Sequence, residues 1–492
     1  MKKLFFILLI LFSVVLPGFT QPITSTEIDQ LVERTMKTFQ VPGMAVAIVK
    51  DGKVIHSKGY GISSMKTGQK VDENTLFGIA SNSKAFTAAT LAILVDAKKL
   101  SWNDKVIKYI PEFRMYNSYV TEDFTIKDII YNLRFLKQTS PFRTKFDYDN
   151  LLYMVAGEVV TRVSGTIWEQ FVEEQILKPL AMSRSAASYG RLKDKSNVID
   201  GHAMADNKLQ AINRHSMAIG HCAAGGIYSS IADMSKWMIA QLDKGKYGGQ
   251  HEKQLFSESA QNEMWSPQTN VPVRVDKYNS HFSAYGLGWF LTDVKGTKQV
   301  SHTGGLEGMV TQVTLFPELE LGIVVLTNQE VGAAFSSVTN TIKDSYLGLP
   351  PEDWVLHYDT IIAKNLKESD ELTTKIQDEI NKGLKSGNSG IDPAIYEGQF
   401  QDDWLGKVKI DQVKGKLWFH AKRSPQMRGE MSFYKGNTFV VKWANRSMNA
   451  DAFVVFNLDA EGKAVGFQMR AISPLTDFSY DFQDLNFTRS EK

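Results

Sequence analysis

Three short stretches of this chain carry side chains that could perform acyl transfer together. Ser81-Asn82-Ser83-Lys84 sets a hydroxyl and an amine three residues apart. Tyr148-Asp149-Asn150 adds a phenol and an amide, and His302-Thr303-Gly304-Gly305 an imidazole followed by small residues. A neutral serine is a weak nucleophile, and a neighbouring base that accepts its proton makes it a strong one. An amine three residues on can be that base if the two lie on a helix, where positions i and i+3 share a face. The sequence predicts such a helix: Ala85 to Val95 is nearly all apolar, and it follows a Ser/Asn pair of the kind that caps helix N-termini. A helix N-terminus also carries partial positive charge, which helps Lys84 give up its proton and stabilises an oxyanion nearby.

Spacing alone does not select Ser81, because Ser-x-x-Lys occurs three times, at Ser63 to Lys66, Ser81 to Lys84 and Ser432 to Lys435. Context does. Ser63 sits in a polar stretch that reads as a turn, Ser432 among strand-like residues, and only Ser81 opens a long apolar helix. Tyr148-Asp149-Asn150 immediately precedes a helical run from Leu151 to Val163, so its phenol and amide fall on a loop free to face a cleft. Val300 to Gly305 reads as a strand ending in a glycine turn, where small residues let a substrate backbone approach closely.

In this order, Ser81-x-x-Lys84, Tyr148-x-Asn150 and His302-Thr303-Gly304 resemble the signature of the serine β-lactamase and penicillin-binding-protein superfamily. The similarity is to the branch with class C β-lactamases, DD-peptidases, D-aminopeptidases and esterases. Thr75 to Ser81, Ala224 to Ser229 and Tyr285 to Trp289 fall where that branch has similar phrases, and the likeness covers residues 30 to 348. It implies Ser81 as nucleophile, Lys84 and Tyr148 sharing the proton work with Tyr148 as a phenolate, and Asn150 bonded to the substrate amide or to Lys84. His302, Thr303, Gly304 and Gly305 become the substrate-binding strand, and the backbone N–H groups of Ser81 and Gly305 the oxyanion hole. Close packing of His302 with Lys84 and Tyr148 is expected to help lower their pKa values. One stretch departs from the pattern: after Thr125 to Ile130 the branch continues with Ser-His and Gly-Leu, whereas this chain passes directly into Tyr131 to Leu136, as if a few dozen residues of the cleft wall were absent.

The elements that must position these groups can be read in outline. Gly43 to Lys50 and Val54 to Gly59 read as strands joined at Asp51-Gly52, a two-residue hairpin signal. Leu287 to Thr292, Gln299 to His302, Val310 to Phe316 and Gly322 to Thr327 read as further strands, followed by a helix from Ala333 to Tyr346. The expected fold class is α/β: an antiparallel sheet built from both ends of a β-lactamase/transpeptidase-like domain, helices between, and His302 facing Ser81. Ile361 to Leu384 reads as a charged, solvated linker helix, and Ser386 to Pro393 as a break. From Ala394 onward come Gly406 to Ile410, Lys416 to Ala421, Thr438 to Trp443, Phe453 to Leu458 and Ala464 to Met469, the strands of an all-β C-terminal sandwich or small barrel. Its Trp404, Trp418, Phe419 and Trp443 read mainly as core, with a ligand face as the alternative. The domain reading is a signal peptide at 1–20, a hydrolase domain at 21–350, a helical and polar linker at 351–392 and a β domain at 393–492.

Composition narrows the function classes. A formal charge of +2 over 492 residues gives nothing for nucleic acid or an anionic membrane to recognise. Lys2 and Lys3, an apolar run from Leu4 to Leu16, and small residues near Gly18 and Thr20 read as a secretory signal. No later run reaches the ~20 apolar residues of a spanning helix, so the mature chain is expected to be periplasmic or secreted, without a transmembrane anchor. Cys222 is the only cysteine, which excludes an intrachain disulfide, and it reads as a small buried hydrophobe. His215, His221 and Cys222 lack metal-ligand spacing, so neither metal nor other cofactor is expected. Gly-x-Ser-x-Gly is missing. The favoured reading is a serine hydrolase of D-amino-acid peptides or small amides and esters, with peptidoglycan-derived peptides among the candidate substrates. A β-lactam-hydrolysing enzyme and a non-catalytic exported binding protein are the alternatives.

Overall fold

The computed structural model describes residues 22–114, 144–206, 208–214, 222–273, 276–385 and 392–490. The expected signal segment at 1–20, the shortened stretch from Thr125 to Leu136, His215, His221 and most of the break at 386–393 lie outside them.

The sheet forms from strands at both ends of the first domain. They are β1 (Gly43–Lys50), β2 (Lys53–Gly61), β3 (Thr269–Asn270), β4 (Ser283–Tyr285), β5 (Phe290–Val294), β6 (Thr297–Leu306), β7 (Met309–Phe316) and β8 (Leu321–Thr327), in the spatial order β2-β1-β8-β7-β6-β5-β4-β3. Every pairing is antiparallel, and Val46 opposite Val325 and Val313 opposite Val324 mark the centre. Nearly every residue of β1 and all of β8 are buried, because both faces of these central strands are covered. On the outer face lie α1 (Ser25–Thr38) and the C-terminal α5 (Gly332–Tyr346), packed on Met44, Val46, Ile323 and Val325. On the inner face lie α2 (Ser83–Asp96), α3 (Leu151–Ser164) and α4 (Ile231–Leu242), which form the main core with Ala45, Ala47, Val324 and Leu326.

α2 is apolar all round because it is buried all round, with Phe86 stacked on Trp237 at 4.0 Å between ring centroids. One strand of the site is longer than its sequence signal: β6 runs four residues past His302 to Leu306.

α6 (Trp354–Lys385) joins the two domains, and here the expectation of a solvated linker helix needs correction. Its first turn buries Trp354 and Val355 on the outer-face core, and Ile376 and Ile380 are buried against Val440, Phe453 and Ile472 of the second domain. Charged residues cover only its exposed side, so the helix is a strut gripped at both ends.

The second domain is a closed antiparallel barrel of β9 (Gly398–Asp402), β10 (Gly406–Val413), β11 (Lys416–Ala421), β12 (Arg428–Lys435), β13 (Thr438–Trp443), β14 (Ala452–Leu458), β15 (Ala464–Ala471) and β16 (Asn486–Arg489). Closure depends on β9, β12 and β16, which the sequence reading did not identify as separate strands. Inside, Phe400, Phe419, Phe456, Phe467 and Phe487 pack edge to face, tilted or stacked, the last two at 4.2 Å. Phe419 and Trp443 are core, as the sequence predicts, whereas Trp404 is only partly buried.

Buried Asp402 fastens the barrel's ends, accepting hydrogen bonds from the backbone N–H groups of Trp404, Leu405 and Asn486 at 2.7 to 2.8 Å. Asp402→Ala orphans three donors, each bond to a charged acceptor being worth roughly 1.5 to 3 kcal/mol before water refills the site. Denaturant unfolding followed by tryptophan fluorescence should show the variant destabilised by about 3 kcal/mol; an unchanged midpoint would contradict this role.

Candidate active site

The turn that carries Ser81 is set by an unusual backbone. Ala80 has φ of +50°, a conformation few residues with side chains adopt, and the chain then makes one 3-10 turn, Ala80–Asn82, that runs into α2. Ser81 and Lys84 therefore share a face of continuous helical backbone. The expected Ser/Asn cap is absent. Asn82 is itself helical and makes no capping bond; its amide instead donates to Ile79 O and to Thr311 Oγ1 at 2.8 Å, while that hydroxyl donates to Ile79 O at 3.0 Å. This buried cross-link pins the turn to β7. Ser83 Oγ, accepting from Ile227 N–H at 3.2 Å, pins it on the other side.

Lys84 is fully buried, and its Nζ has three acceptors: Ser81 Oγ at 2.8 Å, Asn150 Oδ1 at 2.7 Å and the Ala224 carbonyl at 2.8 Å. All three are uncharged. Burial pushes the amine down to about 7, against an opposing pull from the Asp149 carboxylate. A neutral amine keeps two N–H donors and gains a lone pair. With Asn150 and Ala224 taking the donors, the lone pair falls to the Ser81 hydroxyl.

Tyr148 and Asn150 are held by the residue between them. Asp149 Oδ1 accepts from Leu151 N–H at 2.6 Å and Leu152 N–H at 2.9 Å, so Asp149 caps α3. Asn150 makes no capping bond, which leaves its amide oxygen for Lys84. The Tyr148 hydroxyl is hydrogen-bonded to the Ser81 side chain, and its ring lies 5.0 Å from Lys84 Nζ. Burial pushes this phenol up to about 12. The expected phenolate is thus corrected: in the resting site Tyr148 is a neutral hydroxyl, and the amine is the group poised to lose a proton.

His302 is buried with its ring centroid 6.1 Å from that of Tyr148. Its Nδ1 lies 2.5 Å from the Thr303 carbonyl, which can only accept, so Nδ1 carries the hydrogen. Nε2 must then accept from the Tyr285 hydroxyl at 3.0 Å, and Tyr285 Oη from the Tyr153 hydroxyl at 3.2 Å. Tyr153 in turn accepts from Gly288 N–H. Burial and the Lys84 charge hold His302 down at about 3. The imidazole is therefore neutral, and the expectation that it helps lower its neighbours' pKa values is not met. It holds β6 in place.

Gly304 faces the nucleophile's turn. A Cβ there would lie 2.3 Å from Ile79 O and 3.0 Å from Ala80 Cβ, so any side chain would push the turn away. Gly288 is equally constrained, with φ of +79° against the Lys84 carbonyl. Thr303 and Gly305 alternate onto the exposed side of the strand, with open space at the Gly305 Cβ position. β5 pairs with β6 only as far as Ser301, whereas β7 pairs to Leu306. From His302 to Leu306 one backbone edge therefore has no strand beside it among the described residues, beside the nucleophile.

The structure brings Ser81, Lys84, Tyr148 and Asn150 into one hydrogen-bonded cluster, with His302 against it and Gly304 beneath it. Sequence reasoning passed over Asp149 as the cap, the Ala224 carbonyl, the Asn82–Thr311 link and the Tyr153–Tyr285 chain. Asp149 was legible as a helix-capping residue type, and Ala224 and Tyr285 sit in the phrases noted above. No spacing rule links Tyr153 to Tyr285. Cys222 is buried with its thiol pushed up to about 12, mainly by burial, which leaves it unreactive. Among the described residues no group of three or more His, Cys, Asp or Glu could hold a metal ion.

If Lys84 takes the Ser81 proton, acylation should rise with pH as the amine deprotonates near 7. Asn150→Asp places an anion against the amine and favours its charged form, so the rising limb of kcat/KM against pH should move up by about one to three units. An unmoved limb would exclude the amine as the base.

Comparisons with known proteins bear on the family and the fold. The beta-lactamase family model matches residues 28–347, and a family described as a domain of unknown function (DUF3471) matches residues 394–489. The unguisins hydrolase ungD of Aspergillus violaceofuscus is 25% identical over 458 residues, covering 81% of this chain and 79% of its own. Protein flp of Staphylococcus aureus is 26% identical over 336 residues, 61% of this chain and 62% of its own. Among solved structures, the octameric penicillin-binding protein homologue from Pyrococcus abyssi superposes with a TM-score of 0.57 at 17% identity, over 95% of this chain and all of the other. SurE gives 0.54 at 17% identity, over 95% of this chain and 99% of the other. The chain belongs to the beta-lactamase family, with an eight-stranded barrel domain fused after it.

Proposed function

We propose that this protein is a serine hydrolase that forms an acyl-enzyme on Ser81 and acts on D-amino-acid peptides or small amides and esters. The observation that carries this reading is the 2.8 Å contact between Ser81 Oγ and a buried amine whose other two acceptors are uncharged. In the proposed cycle Lys84 Nζ takes the Ser81 proton as Oγ bonds to the substrate carbonyl carbon. The carbonyl oxygen becomes an oxyanion, held by the backbone N–H groups of Ser81 and Gly305, as the resemblance to the family implies. The Tyr148 hydroxyl gives its proton to the leaving nitrogen or oxygen and regains one from Lys84, so the acyl-enzyme forms with both groups neutral. Water then attacks the ester, with Lys84 and Tyr148 taking its proton and returning one to Ser81.

The name of the Aspergillus relative, a hydrolase, supports the reaction class. The free edge of β6 from His302 to Leu306 supports an extended peptide-like substrate, since an unpaired strand edge offers backbone donors and acceptors in a row. Export through the segment at 1–20 is part of the same proposal, and would bring the enzyme to peptidoglycan-derived peptides.

Incubation with a fluorophosphonate probe, followed by peptide mass spectrometry, should place the adduct on Ser81 and lose it in Ser81→Ala. Absence of labelling in the wild-type chain would support the non-catalytic binding protein. Fast turnover of a penicillin would favour the β-lactam-hydrolysing alternative.

A further inference from the structure

Between the β6–β7 hairpin and the barrel lies a cavity of about 690 Å³. It begins at Gly305, one residue beyond the glycine packed on the nucleophile's turn, and continues along the free edge past Leu306. Its far wall belongs to the barrel: Trp404, Met427, Met448 and Tyr480 present apolar and aromatic surface. That wall is built rather than loose. Asp402 holds the Trp404 backbone, the Tyr480 hydroxyl donates to the Met448 carbonyl at 3.2 Å, and Ser447 Oγ donates to Glu307 Oε1 on the hairpin at 2.8 Å. Arg446 reaches Asp206 of the first domain at 3.1 Å, a second link across the junction.

The charge of the cavity is one-sided. Glu307, Glu330 and Asp477 line it, and among the described residues no Lys or Arg does. Burial pushes the Glu330 carboxyl up to about 7.

We infer that this cavity is a second substrate subsite, in which the barrel takes an aromatic or apolar side chain of an extended peptide and selects positive over negative charge. The inference rests on the hydrolase reading above and names its substrate class. Trp404, Met427, Met448 and Tyr480 form an apolar and aromatic patch that suits an apolar side chain, and Ser424, Gln426, Ser447 and Asn449 around it offer hydrogen bonds to a peptide backbone; like charge confined in a low-dielectric cleft repels a carboxylate more strongly than in water. Penicillins, and peptides ending in a free carboxylate next to the scissile bond, bring the disfavoured charge. Peptides or amides bearing an ammonium or guanidinium group bring the favoured one.

The test uses the full chain and D-amino-acid p-nitrophenyl esters with one aromatic side chain and an ammonium, acetamido or succinyl terminus. Fluorophosphonate labelling of Ser81 counts competent enzyme in each preparation. The ammonium ester should exceed the succinyl ester in kcat/KM by about tenfold, and Asp477→Asn should shrink that ratio to about threefold or less. Trp404→Ala should lower the preference for an aromatic over a methyl side chain by about tenfold. Equal rates across the charge series in labelled wild-type enzyme, or ratios unmoved by the substitutions, would overturn the subsite. Wild-type enzyme that is neither labelled nor active would overturn the hydrolase reading and the subsite with it.

Discussion

The site is organised around an amine that has been taken out of water without a charged acceptor in its hydrogen bonds. Removing an ammonium from water costs several kcal/mol even after relaxation, and the oxygens of Ser81, Asn150 and Ala224 recover only part of it. The balance brings the Lys84 proton to the edge of leaving at neutral pH. Much of the surrounding architecture serves that contact. The apolar α2 seals the amine, Asp149 caps α3 so that Asn150 is spared for it, and the short turn Cys222–Ala224 presents a carbonyl. The Asn82–Thr311 link fixes the nucleophile's turn against the sheet.

Around this amine the phenol and the imidazole are kept neutral. Tyr148 is pushed up and His302 down, both chiefly by burial, and the hydroxyl chain from Tyr153 through Tyr285 fixes the imidazole tautomer. A neutral His302 adds no charge to compete with Lys84 and serves to brace β6, whose free edge forms one side of the cleft. The barrel faces the β6–β7 hairpin across the cavity that begins at Gly305. Its contacts to Asp206 and Glu307, together with α6 gripped at both ends, make the C-terminal domain part of the site's surroundings.

The legible parts of the fold were those in which local pattern and burial agree. β1, β7, β8 and the barrel strands β11 and β13 read within a residue of their ends, because alternation or continuous apolar runs bounded by turns leave little choice. Ser81 was separable from Ser63 and Ser432 because only its neighbourhood is a buried helix. What stayed hidden depends on contacts between distant segments. Tyr153 and Tyr285 are 132 residues apart and meet at one hydroxyl pair, and no sequence period encodes that meeting. The phenolate expectation failed for a related reason: the direction of a pKa shift is set by burial and by which charges lie near, and neither is visible until the chain is folded. Ile376 and Ile380 read as part of a solvated face because the barrel that covers them lies elsewhere in the sequence.

The chemistry of the site stands or falls on the protonation state of one amine. Nitrogen-detected NMR of the full chain with ¹⁵N-labelled lysine, assigned by comparison with Lys84→Arg, reports that state directly as pH is varied. The Lys84 resonance should titrate with a midpoint near 7, well below the other lysines. A midpoint left above 10, with the ammonium intact across the neutral range, would contradict it.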